Sequence, residues 1–495
     1  MKILLDPVLT AESSRCSTMI QFYTLVKYVL EDLKREDVFF YWRVPKHVDE
    51  EEFKWYPQHP NIRYVRYDAH RVDRVQEYLH FSPELERDVD FWGELWDYDV
   101  VITVRTPLVP LMKLRMTSPR QHHRTYLKEV WLIEEMPLME FKGTVPVMDA
   151  PVQDHLVLQG HLAADKVFLV SYHEQVGIFD AARKYLSASM QKALRDKIQH
   201  VVTTQFSNFS LKKKAFFTEP KPFTMAFVGR MEKVQAQLEK VNELMVRQWI
   251  TKGDKVQLLA CTASKAVKCF DQDLVEVGSF PRKEFWRRMQ EDVHVVVTLG
   301  KEMGFSLSLL EPLMLGTPAI VLKRDYVVPL LGEDYPFYIS GPGEAPGMVE
   351  MFYRSYPSCY ERFMKWYQEW LVPKYQERFK TDLLYPKLVG EMDRYEAGMQ
   401  VHLDAEPQRK DNAIVQLIAQ HVEGKEEFVL PDVIKELGTQ GHLDHLAKKL
   451  EPEFMEGASL PWLPTWNEHR TTIKYQLGWE DAGTTVGHLR RKKGV

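Results

Sequence analysis

Along residues 1–395, short apolar runs alternate with stretches of helical period. Lys2–Leu5, Val38–Val44, Ile62–Tyr67, Asp99–Val104 and Glu129–Ile133 read as strands, being short and rich in β-branched and aromatic residues. Between them, Ser17–Leu33 carries Met19, Ile20, Tyr23, Val26, Val29, Leu30 and Leu33 at helical spacing, and Pro83–Trp96 reads as another helix. The alternation resumes with a strand in Ala164–Ser171 and a helix from Val176 to Leu186. Strands follow at Met225–Gly229, Val256–Ala260 and Val275–Phe280, then a helix at Arg282–Met289. Such alternation predicts parallel, doubly wound sheets with helices on both faces.

The stretch from Val293 to Leu322 is the most informative. An apolar run (Val293, Val295–Val297) leads to a loop with Lys301 and Glu302, and Gly304 opens a helix. Leu307, Leu309, Leu310, Leu313 and Met314 give that helix a buried side. Gly316-Thr317-Pro318 stops it, and Ala319–Leu322 forms the next strand. About thirty residues in this order make one parallel βαβ unit. Its first loop falls at the carboxyl edge of the sheet, where open α/β folds bind ligands. Backbone N–H groups at the helix start, over Gly304, Phe305 and Ser306, suit a phosphate. Glu302 and Glu311 beside them cannot attract an anion, so they suit hydroxyls of a sugar or ribose.

Gly304 to Pro318 resembles the nucleotide-sugar signature of GT-B glycosyltransferases, in particular the retaining glycosyltransferase family four. That family separates two glutamates by seven residues. Here eight residues (303–310) lie between Glu302 and Glu311, and Met303 holds the family's first glutamate place. The resemblance implies a GT-B fold over roughly 1–395, with an acceptor domain (1–205) and a nucleotide-sugar domain (206–400). It implies Arg230, after Gly229, on the donor diphosphate. The family's lysine five residues on is Gln235 here, so Lys233 is the nearest amine. Thr262 and Phe280 stand at strand ends where the nucleoside would lie. The resemblance also places Glu134 and Glu135 at a strand end that usually carries a histidine; paired carboxylates there could supply a general base. A UDP-sugar is the expected donor, and no metal is required by any aspartate-rich spacing.

Composition narrows this little: 495 residues, 45% hydrophobic and 27% charged, with a formal net charge of −5. Cys16, Cys261, Cys269 and Cys359 show no pairing pattern, which reads as reduced thiols in a cytoplasmic protein. No apolar run approaches membrane-spanning length. The local charge is more suggestive. Residues 100–128 hold no acid but carry Arg105, Lys113, Arg115, Arg120, His122, His123 and Arg124. Beyond a polar linker at His402–Asp411, helices at Asn412–His421, Pro431–Leu437 and His442–Leu450, then a strand at Arg470–Leu477, give the order of a winged helix (401–495). Lys448, Arg470, Lys474 and Arg490 would face DNA there. These features motivate DNA with a hydroxymethylated base as acceptor. Lipid-linked or polysaccharide acceptors, or a catalytically silent GT-B scaffold, are the alternatives.

Overall fold

The structure is a computed structural model. It describes residues 1–7, 17–46, 48, 56–67, 98–116, 128–134, 150–170, 172–201, 223–228, 256–261, 275–278, 280, 282–299, 307–324, 327–375, 382–405, 410–440, 473–474, 479–482 and 488–491. The expected helices at 83–96 and 442–450 lie outside these residues.

The first unit contains β1 (Lys2–Asp6), α1 (Ser17–Lys27), β2 (Phe39–Pro45), β3 (Ile62–Tyr67), β4 (Val100–Thr103), α2 (Val109–Met116), β5 (Glu129–Glu134), α3 (Ala150–Ala163), β6 (Lys166–Leu169), α4 (Tyr172–Tyr185), α5 (Ala188–Lys197) and β7 (Ile198–His200). Its seven strands run parallel in the order β3-β2-β1-β4-β5-β6-β7. Alternate side chains feed two cores, as the period of a strand requires. Ile3, Leu5, Phe40, Trp42 and Ile102 enter the core shared with Phe22 and Val26 of α1. Leu4, Tyr41, Val101 and Leu132 enter the one shared with Val109 and Met112 of α2.

The second unit contains β8 (Phe223–Val228), β9 (Val256–Cys261), β10 (Val275–Gly278), α6 (Arg282–Glu291), β11 (Val295–Thr298), α7 (Leu307–Met314), β12 (Ala319–Leu322), α8 (Val328–Leu331), β13 (Tyr338–Ile339), α9 (Ala345–Arg354) and α10 (Tyr356–Trp366). Its six strands are also parallel, in the order β10-β9-β8-β11-β12-β13. Each sheet therefore reverses its winding direction once, at β1/β4 and at β8/β11. The aromatic stripe at Tyr360, Phe363, Trp366 and Tyr367 packs on this second core. The return to the first unit is made by the next helix, α11 (Leu384–Ala405), whose Leu384, Leu388, Met392, Tyr395 and Met399 join the first unit's core.

Polar contacts hold α11 there. Arg35 reaches Asp37 at 2.9 Å, Asp393 at 2.8 Å and Glu396 at 3.1 Å. Burial alone would raise the Asp37 carboxyl, but the Arg35 hydrogen bonds, the charge of the Met1 amine and that of Arg35 outweigh it and hold the group at about 2. A depressed carboxyl stabilises the fold above its ordinary value near 4, and that stability disappears as pH falls towards 2. Arg35→Met is expected to remove about 1–2 kcal/mol of this pH-dependent stability. Acid unfolding monitored by circular dichroism should then show a shallower slope between pH 4 and pH 2.

The third unit contains α12 (Lys410–His421), β14 (Glu427–Val429), α13 (Leu430–Thr439), β15 (Trp479–Asp481) and β16 (His488–Arg491). Its antiparallel sheet has the order β14-β16-β15 around a core of Ile418, Leu430, Val433, Ile473, Trp479 and Leu489. The strand expected at Arg470–Leu477 does not form at Ile473 and Lys474, which lie in a helical turn. Lys474 supplies the reason: it is buried beside Asp481 at 2.8 Å and Asp99 at 3.9 Å. Exposed strand geometry would forfeit that pairing.

Candidate active site

Strands β1, β4 and β5 end in polar side chains that the sheet buries at its carboxyl edge. Asp6 closes β1 and is 0% exposed. The Thr103 hydroxyl donates to its Oδ2 at 3.0 Å and accepts from the Arg105 N–H at 3.0 Å. The Arg105 guanidinium lies 3.2 Å from Asp6 Oδ2, and Arg43 of β2 lies 3.8 Å from Oδ1. One strand further on, Glu134 is 3% exposed and accepts the Thr106 hydroxyl at 2.7 Å. The same Glu134 oxygen is 3.0 Å from Nε2 of His161, a fully buried residue of α3.

A glycine makes this assembly possible. A Cβ on Gly160 would lie 2.0 Å from the Thr106 carbonyl oxygen and 2.8 Å from its Cγ2. Helix α3 therefore approaches the Thr106 turn closely enough for His161 to reach Glu134. Gly160→Ala should force the helix outward and destabilise the first unit by about 1–3 kcal/mol, as overpacking generally does. A lowered denaturant midpoint would check this, and an unchanged midpoint would show that the contact yields freely.

Of the residues expected to act from sequence, Glu134 and Glu311 are both described and both buried. Glu311, 1% exposed, stands inside α7, the helix that follows β11 in the chain. Phe280 is half-buried with the Arg288 guanidinium 4.4 Å above its ring, which narrows its scope for stacking on a base. Glu135, Gly229, Arg230, Lys233, Thr262, Glu302, Gly304, Phe305 and Ser306 lie outside the described residues.

The expected nucleic-acid contacts fare differently. Arg105 is 1% exposed, and Lys474 is 5% exposed. Each is turned towards a carboxylate, so neither offers a face to a phosphate. Lys113 binds Asp165 at 2.6 Å and the Lys128 carbonyl at 3.0 Å, at the amino edge of the sheet rather than the expected carboxyl edge. Helix α2 runs back along the sheet, and that reversal carries Lys113 away. Arg490 pairs with Glu480 at 2.8 Å and with Glu36 at 3.8 Å, also towards the amino edge. The side chains of Arg115, Arg120, His122, His123, Arg124, Lys448 and Arg470 lie outside what is described.

Asp6, Arg43, Thr106 and His161 were not singled out by sequence reasoning. Asp6 and Thr106 each follow an apolar run, which is a usable signal for a strand-end polar group. His161 had none, because the buried face of helix α3 carries Asp154 and His161 beside Val157 and Leu158, which breaks up its apolar stripe. Among the described residues no group of three His, Cys, Asp or Glu is placed to hold a metal. Among them, too, no helix is long and apolar enough to cross a membrane.

Two parallel, doubly wound sheets joined by a returning carboxyl-terminal helix make this a GT-B fold, and known structures agree. Sucrose-phosphate synthase from Thermosynechococcus elongatus matches with a TM-score of 0.52 and 12% identity, over 80% of this chain and 98% of that one. The α,α-trehalose 6-phosphate synthase from Burkholderia multivorans matches with a TM-score of 0.51 and 11% identity, over 80% and 99%. HepE from Anabaena, solved with UDP and glucose, matches at 0.49 and 10% identity, over 80% and 100%. No protein-family model and no curated protein sequence matches the chain.

Proposed function

We infer that this protein is a glycosyltransferase that moves a sugar from a nucleotide-sugar, a UDP-sugar first, to an acceptor hydroxyl. The observation that carries this reading is Glu311, a carboxylate 1% exposed within the helix that follows β11. β11 borders the β8/β11 switch point, where such folds take ligands. A buried carboxylate in that place suits a pair of ribose hydroxyls, each of which can donate to it. In this reading Arg230, Lys233 and the N–H groups of Gly304, Phe305 and Ser306 take the diphosphate, where charge develops as the nucleotide leaves. Gly229, Thr262 and Phe280 border the nucleoside, and Glu302 takes sugar hydroxyls. Glu134 or Glu135 serves as base towards the acceptor.

The carboxyl-terminal unit we read as a winged helix. Its described elements run helix, strand, helix, strand, strand, and the first and last strands pair. The hydroxymethylated-DNA acceptor rests on this unit and on the basic residues 115–124. Among the described residues the basic side chains expected to bind DNA are paired internally, so DNA enters as one arm of the test.

The test incubates the full chain with UDP- and GDP-sugars. Acceptors are unmodified duplex DNA, duplexes containing hydroxymethylcytosine or hydroxymethyluracil, and phosphorylated small sugars; products are read by mass spectrometry. A hexose or pentose added to one acceptor establishes donor, acceptor and reaction together. Donor hydrolysis alone keeps the transferase and rejects those acceptors. No product, no hydrolysis and no UDP binding by calorimetry would favour a silent core.

A further inference from the structure

His161 holds a proton position that its surroundings dictate. Its Nδ1 is 2.7 Å from the Val157 carbonyl oxygen, which can only accept, so Nδ1 carries a proton. Its Nε2 is 3.0 Å from Glu134 Oε2, an approach too bent for a straight hydrogen bond but well within an ion pair. An unprotonated Nε2 would leave two electron-rich atoms 3.0 Å apart in a fully buried place. The Thr106 hydroxyl donates to that same oxygen at 2.7 Å, the arrangement of an ionised carboxylate gathering donors.

We propose that His161 is a positioning residue, held as imidazolium by Glu134, which keeps Glu134 ionised and charge-balanced at the carboxyl edge of the first sheet. The proton assignment stands on geometry alone. Its use in sugar transfer rests on the glycosyltransferase reading given above. There the acceptor oxygen forms a bond to the sugar carbon while the bond to the donor phosphate breaks, and the acceptor proton passes to the carboxylate.

Other charged groups near α3 are already committed. Lys113 on α2 faces Asp165. Arg183 on α4 faces Asp180, and Lys184 lies over Tyr185. On α5, Lys197 donates to the carbonyls of Leu162 and Ala164, and Arg195 lies over Phe179. Asp154 and His155 stand on earlier turns of α3 itself, His155 against the Tyr185 ring. Arg105, next to Thr106, faces Asp6. Among the described residues, Glu134 is the acid paired with His161.

Nitrogen NMR of the full chain labelled with 15N-histidine tests this directly, with His161 assigned by its loss in His161→Gln. The expected spectrum at pH 7–8 shows both ring nitrogens of His161 protonated. In Glu134→Gln the Nε2 proton should be lost, leaving the neutral Nδ1–H ring. Thr106→Val, which removes a neutral donor only, should leave the ring charged and serves as the control if a charge-changing variant is unstable. A neutral His161 in the unmodified chain would overturn the proposal whatever the activity assay shows. Once transfer is measured, His161→Gln should move the acidic limb of the kcat/KM profile upward, because the carboxylate has lost its cation. An unmoved limb would overturn the positioning role and leave the glycosyltransferase reading intact.

Discussion

Glu311→Gln is expected to weaken UDP binding by about 100-fold, the loss of two charge-assisted hydrogen bonds less what an amide recovers. The substitution keeps side-chain volume while removing charge, so the packing of Leu309, Leu310 and Leu313 around it should persist. The unfolding transition should therefore remain cooperative, with stability changed by no more than about 2 kcal/mol. Titration calorimetry with UDP and a thermal unfolding scan separate the outcomes. Lost binding with an intact transition marks a ligand-holding carboxylate. Affinity within a few-fold of the parent, or collapse of the transition, would mean that Glu311 serves only its own fold.

Lys474→Met should be the most destabilising single change. The ammonium lies between Asp481 and Asp99, both of which are almost fully buried. Asp481 also lies 3.2 Å from the Met1 amine, and Asp99 accepts the Lys2 N–H at 2.8 Å. Removing the shared cation leaves an excess of buried negative charge, a loss of about 3–5 kcal/mol for breaking such a pair. These contacts join the third unit to the amino edge of the first, so the loss should appear as detachment. Limited proteolysis should cleave between α11 and α12 faster in Lys474→Met, and adding Asp481→Asn and Asp99→Asn should restore most of the protection. Equal cleavage rates for the parent and the single variant would refute the arrangement.

Strand identity was legible because buried parallel strands leave contiguous apolar runs. Ile62–Tyr67 and Ala319–Leu322 were read with their observed bounds, and Val38–Val44 lies one residue from Phe39–Pro45. Helix α3 was not legible, since its buried face carries Asp154 and His161 while Leu156 and Leu162 lie half-buried, so no clean apolar stripe marks it. Its absence from the sequence reading hid His161 and left Glu134 without its partner. Placement was harder than identity. Acid-free composition at 100–128 said nothing about which edge of the sheet each cation would reach, and Lys113 goes to the edge away from Glu134. Lys474 looked like a surface cation because the acids that bury it lie far away in sequence.

Leu383 packs into the core of the second unit, and Leu384 into that of the first. Adjacent residues are thus owned by different bodies, with Tyr385 touching both cores. Any rocking of one half against the other turns about a fulcrum barely one peptide wide at this crossing. Loosening that joint with a single glycine would change how far the halves travel without altering any group that meets a substrate.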